Sequence, residues 1–95
     1  MLAKGETVKI NTEIVLREED EGAFLFDPDS GRICYLNELG ITIWKLCRKP
    51  IETDRIITEI SSEYPEVTPE QISKDCLSFL DDLKDFGFLA TGAEA

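Results

Sequence analysis

A chain of 95 residues with 10 Lys+Arg, 20 Asp+Glu and no His reads as one acidic domain of net charge −10. That size allows one modest core and no large internal pocket; the charge opposes non-specific binding to nucleic acid, and without His there is no imidazole base or ligand. Apolar runs are too short to span a membrane, and Met1-Leu2-Ala3-Lys4-Gly5-Glu6 lacks the apolar stretch of a secretory signal, so a cytoplasmic protein with neither membrane nor nucleic acid as partner is expected.

Residues 1–11 carry little pattern and read as a loose lead-in. Glu13-Ile14-Val15-Leu16-Arg17-Glu18 alternates as a strand, with Ile14 and Leu16 on one face and Val15 on the other. A charged turn, Glu18-Glu19-Asp20-Glu21-Gly22, leads to Ala23-Phe24-Leu25-Phe26, a second short strand of high β-propensity. Asp27-Pro28-Asp29-Ser30-Gly31 is turn chemistry: Pro fixes φ, Asp and Ser bond the local backbone, and Gly permits positive φ. Arg32-Ile33-Cys34-Tyr35-Leu36 is the third strand, which makes an antiparallel meander. Ile33 and Tyr35 project opposite to Cys34 and Leu36, and the pattern alone leaves open which pair lines the core.

The period then becomes helical. Asn37 is a good N-cap and Glu38 suits the first turn. Leu39, Ile43, Leu46 and Cys47 share one face while Ile41 and Trp44 share another, so this helix is expected to be covered on more than one side. Trp44 is read as core, with a partner anchor as the alternative. Gly40 costs roughly 1 kcal/mol against Ala inside a helix and implies a close backbone approach. Pro50 ends the element. A second helix is expected from about Thr53, as its cap, to Glu63, burying Ile56, Ile57 and Ile60. Thr68 caps the third helix, Pro69 takes its first position and Gln71 completes a capping box. It runs to about Phe86, with Gly87 as an apt C′ residue. Phe88-Leu89-Ala90 is an extended coda, and 91–95 a frayed tail.

With Ile72 at zero and about 100° per residue, Phe86, Phe79, Leu83, Cys76 and Leu80 fall on one arc from about 320° through 80°. That arc is the core face. Ser73, Leu77 and Lys84 lie beside it, between about 100° and 140°. Together with Leu80 they form a strip that is either a wider core with a solvated lysine or the wall of an apolar groove with a cation at its rim.

The residues Gly31, Leu36-Asn37, Gly40, Ile43-Trp44 and Leu46, at this spacing, resemble the signature of the pyrroloquinoline quinone biosynthesis protein D (PqqD) family. The run from Val67 through Cys76-Leu77-Ser78-Phe79-Leu80-Asp81-Asp82-Leu83-Lys84-Asp85-Phe86-Gly87-Phe88-Leu89 is similar to its closing helix. The resemblance covers about residues 13–90. One departure follows the first helix, where Arg48-Lys49-Pro50-Ile51 replaces the Asp-Gly turn of many relatives. The resemblance implies an α+β, winged helix-turn-helix-like fold with the three-stranded antiparallel sheet placed before three helices. It implies a non-catalytic module without cofactor. Such a module holds the leader of a ribosomally made precursor peptide and presents it to a modifying enzyme, often a radical S-adenosylmethionine enzyme. The leader adds as a strand to the third strand and lies against the third helix.

Those implications make Arg32, Ile33, Cys34, Tyr35 and Leu36 the candidate strand edge, where main-chain hydrogen bonds provide affinity and side chains specificity. Ser73, Lys74, Leu77, Leu80 and Lys84 are the candidate second wall. Arg32 and Lys84 are placed to meet acidic leader residues, although Arg32 also fits a guard against edge-to-edge aggregation. An exposed edge also fits a monomer or a weak homodimer. The competing reading, a winged-helix DNA-binding protein, meets a third helix with Lys74 and Lys84 against Glu70, Asp75, Asp81, Asp82 and Asp85, a poor footprint for phosphate. The basic cluster Lys45, Arg48, Lys49 and Arg55 suits an acidic protein surface or offsets a helix C-terminus. A metal site is not expected: Asp27-x-Asp29-x-Gly31 lacks the closing Glu of a calcium loop. Cys34, Cys47 and Cys76, with 12 and 28 residues between them, have no zinc spacing and read as reduced, buried thiols.

Overall fold

The structure is a computed structural model that describes residues 5–91. In chain order its elements are β1 (Thr7–Ile10), β2 (Val15–Glu19), β3 (Gly22–Phe26), β4 (Ile33–Leu36), α1 (Glu38–Leu46), β5 (Ile51–Glu52), α2 (Thr53–Glu63), α3 (Pro69–Asp85) and β6 (Leu89–Thr91). This is an α+β fold with two antiparallel sheets, β2-β3-β4 and β5-β1-β6.

The first sheet is the expected meander. Its rows align Val15 with Phe26 and Phe26 with Ile33, and Leu16 with Leu25 and Leu25 with Cys34. Strand alternation then decides the open question of faces. Ala23, Leu25 and Leu36 are buried in the core with Cys34 and Leu16 partly covered, so Cys34 and Leu36 point inward and Ile33 and Tyr35 outward. The turn between β3 and β4 is held by its own side chains: the Asp29 amide donates to Asp27 Oδ1 at 3.0 Å and Ser30 Oγ to Asp27 Oδ2 at 2.9 Å. The Asp27 carboxylate is thus occupied by turn donors, chiefly the Ser30 hydroxyl, which hold its pKa below the usual value.

Two glycines mark close approaches. A Cβ on Gly40 would meet Leu36 Cδ2 and Phe79 Cζ at 3.3 Å, so the first turn of α1 packs tightly on β4 and α3. Gly22 has φ +142° and a Cβ there would sit 2.7 Å from the Leu36 carbonyl oxygen. Asn37 caps α1, accepting from the Gly40 amide at 2.9 Å. Ile43 and Trp44 are both buried, with Trp44 in the core.

The second sheet corrects the expectation of a loose lead-in over residues 1–11. Residues 1–4 lie outside the described part, but Thr7–Ile10 is a strand and Val8 is fully buried. Val8 pairs with Ile51 on one side and Thr91 on the other. The expected coda is also a strand, and Phe88 beside it is fully buried, an environment that stabilises by roughly 2–3 kcal/mol per such side chain. Of the expected frayed tail, Thr91 belongs to β6, and 92–95 lie outside the described residues. Thr53 is not a cap but the first residue of α2, capped by Glu52 without a side-chain bond. Its buried hydroxyl instead accepts from the Gly5 amide at 2.8 Å, and its own amide donates to the Glu6 carbonyl at 2.8 Å. That bond pair ties the chain start to α2.

α3 begins as expected: Pro69 opens it and Thr68 Oγ1 accepts from the Gln71 amide at 3.2 Å. The box is only half made, because the Gln71 side chain donates forward to Asp75 at 2.9 Å. The core face holds Ile72, Cys76, Leu80 and Leu83. Phe86, assigned to that face from periodicity, is 42% exposed. It sits at the C-cap, where the chain leaves the helix through Gly87 at φ 83°.

Candidate functional site

β4 is an edge. It pairs with β3 on one side, and no described strand pairs with it on the other. The hydrogen-bond phase of the ladder says which main-chain groups are open. The Asp27 amide donates to the Arg32 carbonyl at 2.9 Å across the β3–β4 connection. In an antiparallel ladder, bonded and non-bonded pairs alternate. Arg32, Cys34 and Leu36 therefore turn their amides and carbonyls towards β3, while Ile33 and Tyr35 turn theirs towards the free side. Ile33 and Tyr35 are also the residues whose side chains point outward, at 60% and 56% exposure.

α3 runs beside this edge. Arg32 marks one end: its Nη1 donates to the Phe86 carbonyl at 3.4 Å and its guanidinium lies 5.8 Å from the Phe86 ring centroid. A cation on a helix's last carbonyls is favoured by the helix dipole, and the stack on the ring adds to it. Leu36 and Phe79 mark the other end, where both meet Gly40. Between them, burial first and then the Asp82 carboxylate raise the Cys34 thiol above its usual pKa, which places Asp82 across from Cys34. Asp82 is exposed and has no ion-pair partner among the described residues. The strand edge thus has Phe79, Asp82 and Phe86 of α3 beside it.

The residues singled out from the sequence thus divide. Arg32, Ile33, Cys34, Tyr35 and Leu36 lie together on the edge. Helical periodicity sets Ser73, Leu77 and Lys84 about 140° to 180° around α3 from Asp82, on the flank away from β4. Ser73 and Lys74 border a shallow depression with Ile57, Pro69 and Glu70. Leu77 packs partly against the core, and Leu80 is fully buried and offers no surface. Periodicity assigns Phe79 and Phe86 to the core face and does not single out Asp82, so none of the three reads as part of the site. Their signal was spread over two elements: an arginine opening β4 and an aromatic closing α3.

Such an edge sets main-chain groups turned away from β3, of which the Tyr35 carbonyl has only a weak bond from Cys34 Sγ at 3.7 Å, beside an amphipathic helix wall, an arrangement that holds an extended peptide. The profile of the family Coenzyme PQQ synthesis protein D (PqqD) matches residues 22–89, from the start of β3 to the start of β6. The chain belongs to the PqqD family. Two solved structures share the fold of this PqqD-family protein. TbiB1 in complex with the TbiA(beta) leader peptide is 26% identical, with a TM-score of 0.75 over 85% of this chain and 93% of the other. Lasso peptide synthetase B1 complexed with the leader peptide is 24% identical, with a TM-score of 0.76 over 87% of this chain and 96% of the other. No curated protein matches this PqqD-family chain. None of its described helices is long and apolar enough to cross a membrane.

Proposed function

We propose that this PqqD-family domain captures the leader of a ribosomally made precursor peptide by strand addition to β4 and presents it to a modifying enzyme, such as a radical S-adenosylmethionine enzyme. The observation that carries the reading is the free edge of β4, with the main-chain groups of Ile33 and Tyr35 turned out beside α3. The two leader-peptide complexes of like fold support it. In this reading the domain has no chemistry of its own. The leader gains its hydrogen bonds from the edge, and its inward side chains meet Cys34, Phe79 and Asp82. DNA binding through α3 is not favoured, since the helix carries Lys74 and Lys84 against five carboxylates.

The test is a titration with the precursor peptide encoded beside the gene, followed by NMR and calorimetry. Amides of Ile33, Tyr35, Phe79 and Asp82 should shift, and the bound peptide should show strand character. Shifts confined to other places would sink the geometry. Two charge reversals sort the helix flanks: Asp82→Lys should change affinity and Lys84→Glu should not. The opposite result would move the second wall to the flank of Ser73, Leu77 and Lys84.

A further inference from the structure

Resting on the strand-addition reading, we infer that the leader is read on both faces of the added strand: residues two apart that lie across from Ile33 and Tyr35 on the outer sheet face are bulky and apolar. The first observation is the composition of β4. Ile33-Cys34-Tyr35-Leu36 is apolar throughout, the pattern of a strand covered on both faces. A strand with one face in water alternates apolar and polar residues, and an unprotected edge usually carries charge. Neither holds within β4.

The second observation is the surface that β4 shares. Val15, Phe26 and Ile33 form one row across the outer face, and Arg17, Phe24 and Tyr35 the next. Five of those six are apolar or aromatic, and the five are between 39% and 60% exposed. Isolated exposed apolar residues are ordinary, whereas a contiguous patch marks an interaction surface. Val15, Phe24, Phe26 and Ile33 line a shallow concavity there together with Arg17 and Glu19, which neutralise each other in an ion pair at 2.8 Å. Tyr35 does not swing freely: its hydroxyl donates to the Glu21 carbonyl at 2.6 Å and its ring meets Phe24 edge-on at 5.6 Å. The aromatic floor is therefore set before any peptide arrives.

The third observation ties the patch to the edge. The residues whose main-chain groups face the free side are the same two whose side chains join the patch. A strand bonded to Ile33 and Tyr35 places its own residues opposite them at about 5.5 Å between Cα atoms. Its side chains on that face extend the two rows by one column. A bulky side chain across from Ile33 also reaches diagonally, over about 7–8 Å, towards Phe26 and the concavity. A polar residue there would leave Ile33 in water; an apolar one covers it. Specificity thus has two registers, one against Cys34, Phe79 and Asp82 and one against the outer face.

The probe is a displayed library of random dodecapeptides, selected in parallel on the wild-type protein and on Ile33→Glu. Ile33 is largely exposed, so the variant keeps its fold, which amide spectra verify. Wild-type selection should enrich peptides with bulky apolar residues at two positions two apart. Selection on Ile33→Glu should exchange one of these for Lys or Arg and keep the other, and wild-type-selected peptides should bind the variant about fivefold more weakly. A Tyr35→Lys variant should move the exchange, now to Glu or Asp, to the second position. Enriched peptides that shift the Ile33 and Tyr35 amides yet accept any residue at the outward positions would overturn this inference and leave strand addition intact. Enriched peptides that leave those amides unmoved would remove strand addition, and this inference with it.

Discussion

At the scale of single residues, the three cysteines differ in what burial does to them. All are free thiols, and Cys47 and Cys76 are buried while Cys34 is half-covered. Burial pushes Cys47 from 9.0 up to about 12, and burial, with Asp75 adding, pushes Cys76 up to about 11. The thiolate is the reactive form. At pH 8 a thiol reagent should therefore label Cys34 slowly and the other two only after unfolding. A bound leader should protect Cys34, since its half-covered side chain lies on the face of β4 turned to Asp82. Labelling of Cys47 before Cys34 would contradict the packing. The same shift has a consequence for stability. A thiol whose pKa is raised on folding favours the folded state below its unfolded pKa and loses that contribution as pH climbs towards the folded one. The protein should lose stability between pH 9.0 and about 12. Cys47→Ala, weaker at neutral pH by about 1–2 kcal/mol, should lose less over that range in denaturant titrations.

At the scale of elements, legibility followed sequence distance. The meander, α1 and α3 were readable because their signals are local: the turn from Asp27 to Gly31, the cap at Asn37, and Thr68 followed by Pro69. The sheet β5-β1-β6 was not, because Thr7-Val8-Lys9-Ile10, although alternating and rich in β-branched residues, is too short to stand out from an irregular arm without its distant partners. Its strands are two to four residues long, and their partners lie more than 40 positions apart. The geometry of the candidate site divides in the same way. That β4 ends its sheet was legible, because it follows from one strand's place in the meander. Which flank of α3 turns to β4 was not, because periodicity identifies only the core face of the helix. That choice is made by the long-range meeting of Arg32 with Phe86 and of Gly40 with Phe79. The missed sheet gives an element-scale prediction. Val8 is fully buried, so Val8→Ala should cost about 2 kcal/mol and lower Tm by about 10 °C. A drop of a degree or less in thermal unfolding would mean that β1 is dispensable to the fold.

At the scale of the whole molecule, charge is the dominant long-range term. Twenty carboxylates against ten cations leave −10 within a radius of gyration of 12.8 Å. At 10 mM salt the Debye length is about 30 Å, so each charge feels nearly all the others; at 0.15 M it is about 8 Å and distant repulsion is screened. The opposing effect of salt falls on ion pairs. Those described, Arg17 with Glu19, Lys45 with Glu18 and Arg55 with Glu59, are exposed at the surface, where each contributes about 0–1 kcal/mol. Arg32 bonds the Phe86 carbonyl and lies beside its ring, with the Asp27 carboxylate also within electrostatic reach. Net repulsion should therefore outweigh the lost pairs, and Tm should rise by a few degrees between 10 mM and 0.15 M NaCl. Thermal unfolding at fixed pH checks this. A fall in Tm over that range would show that the local pairs, not the net charge, govern the electrostatics of the fold.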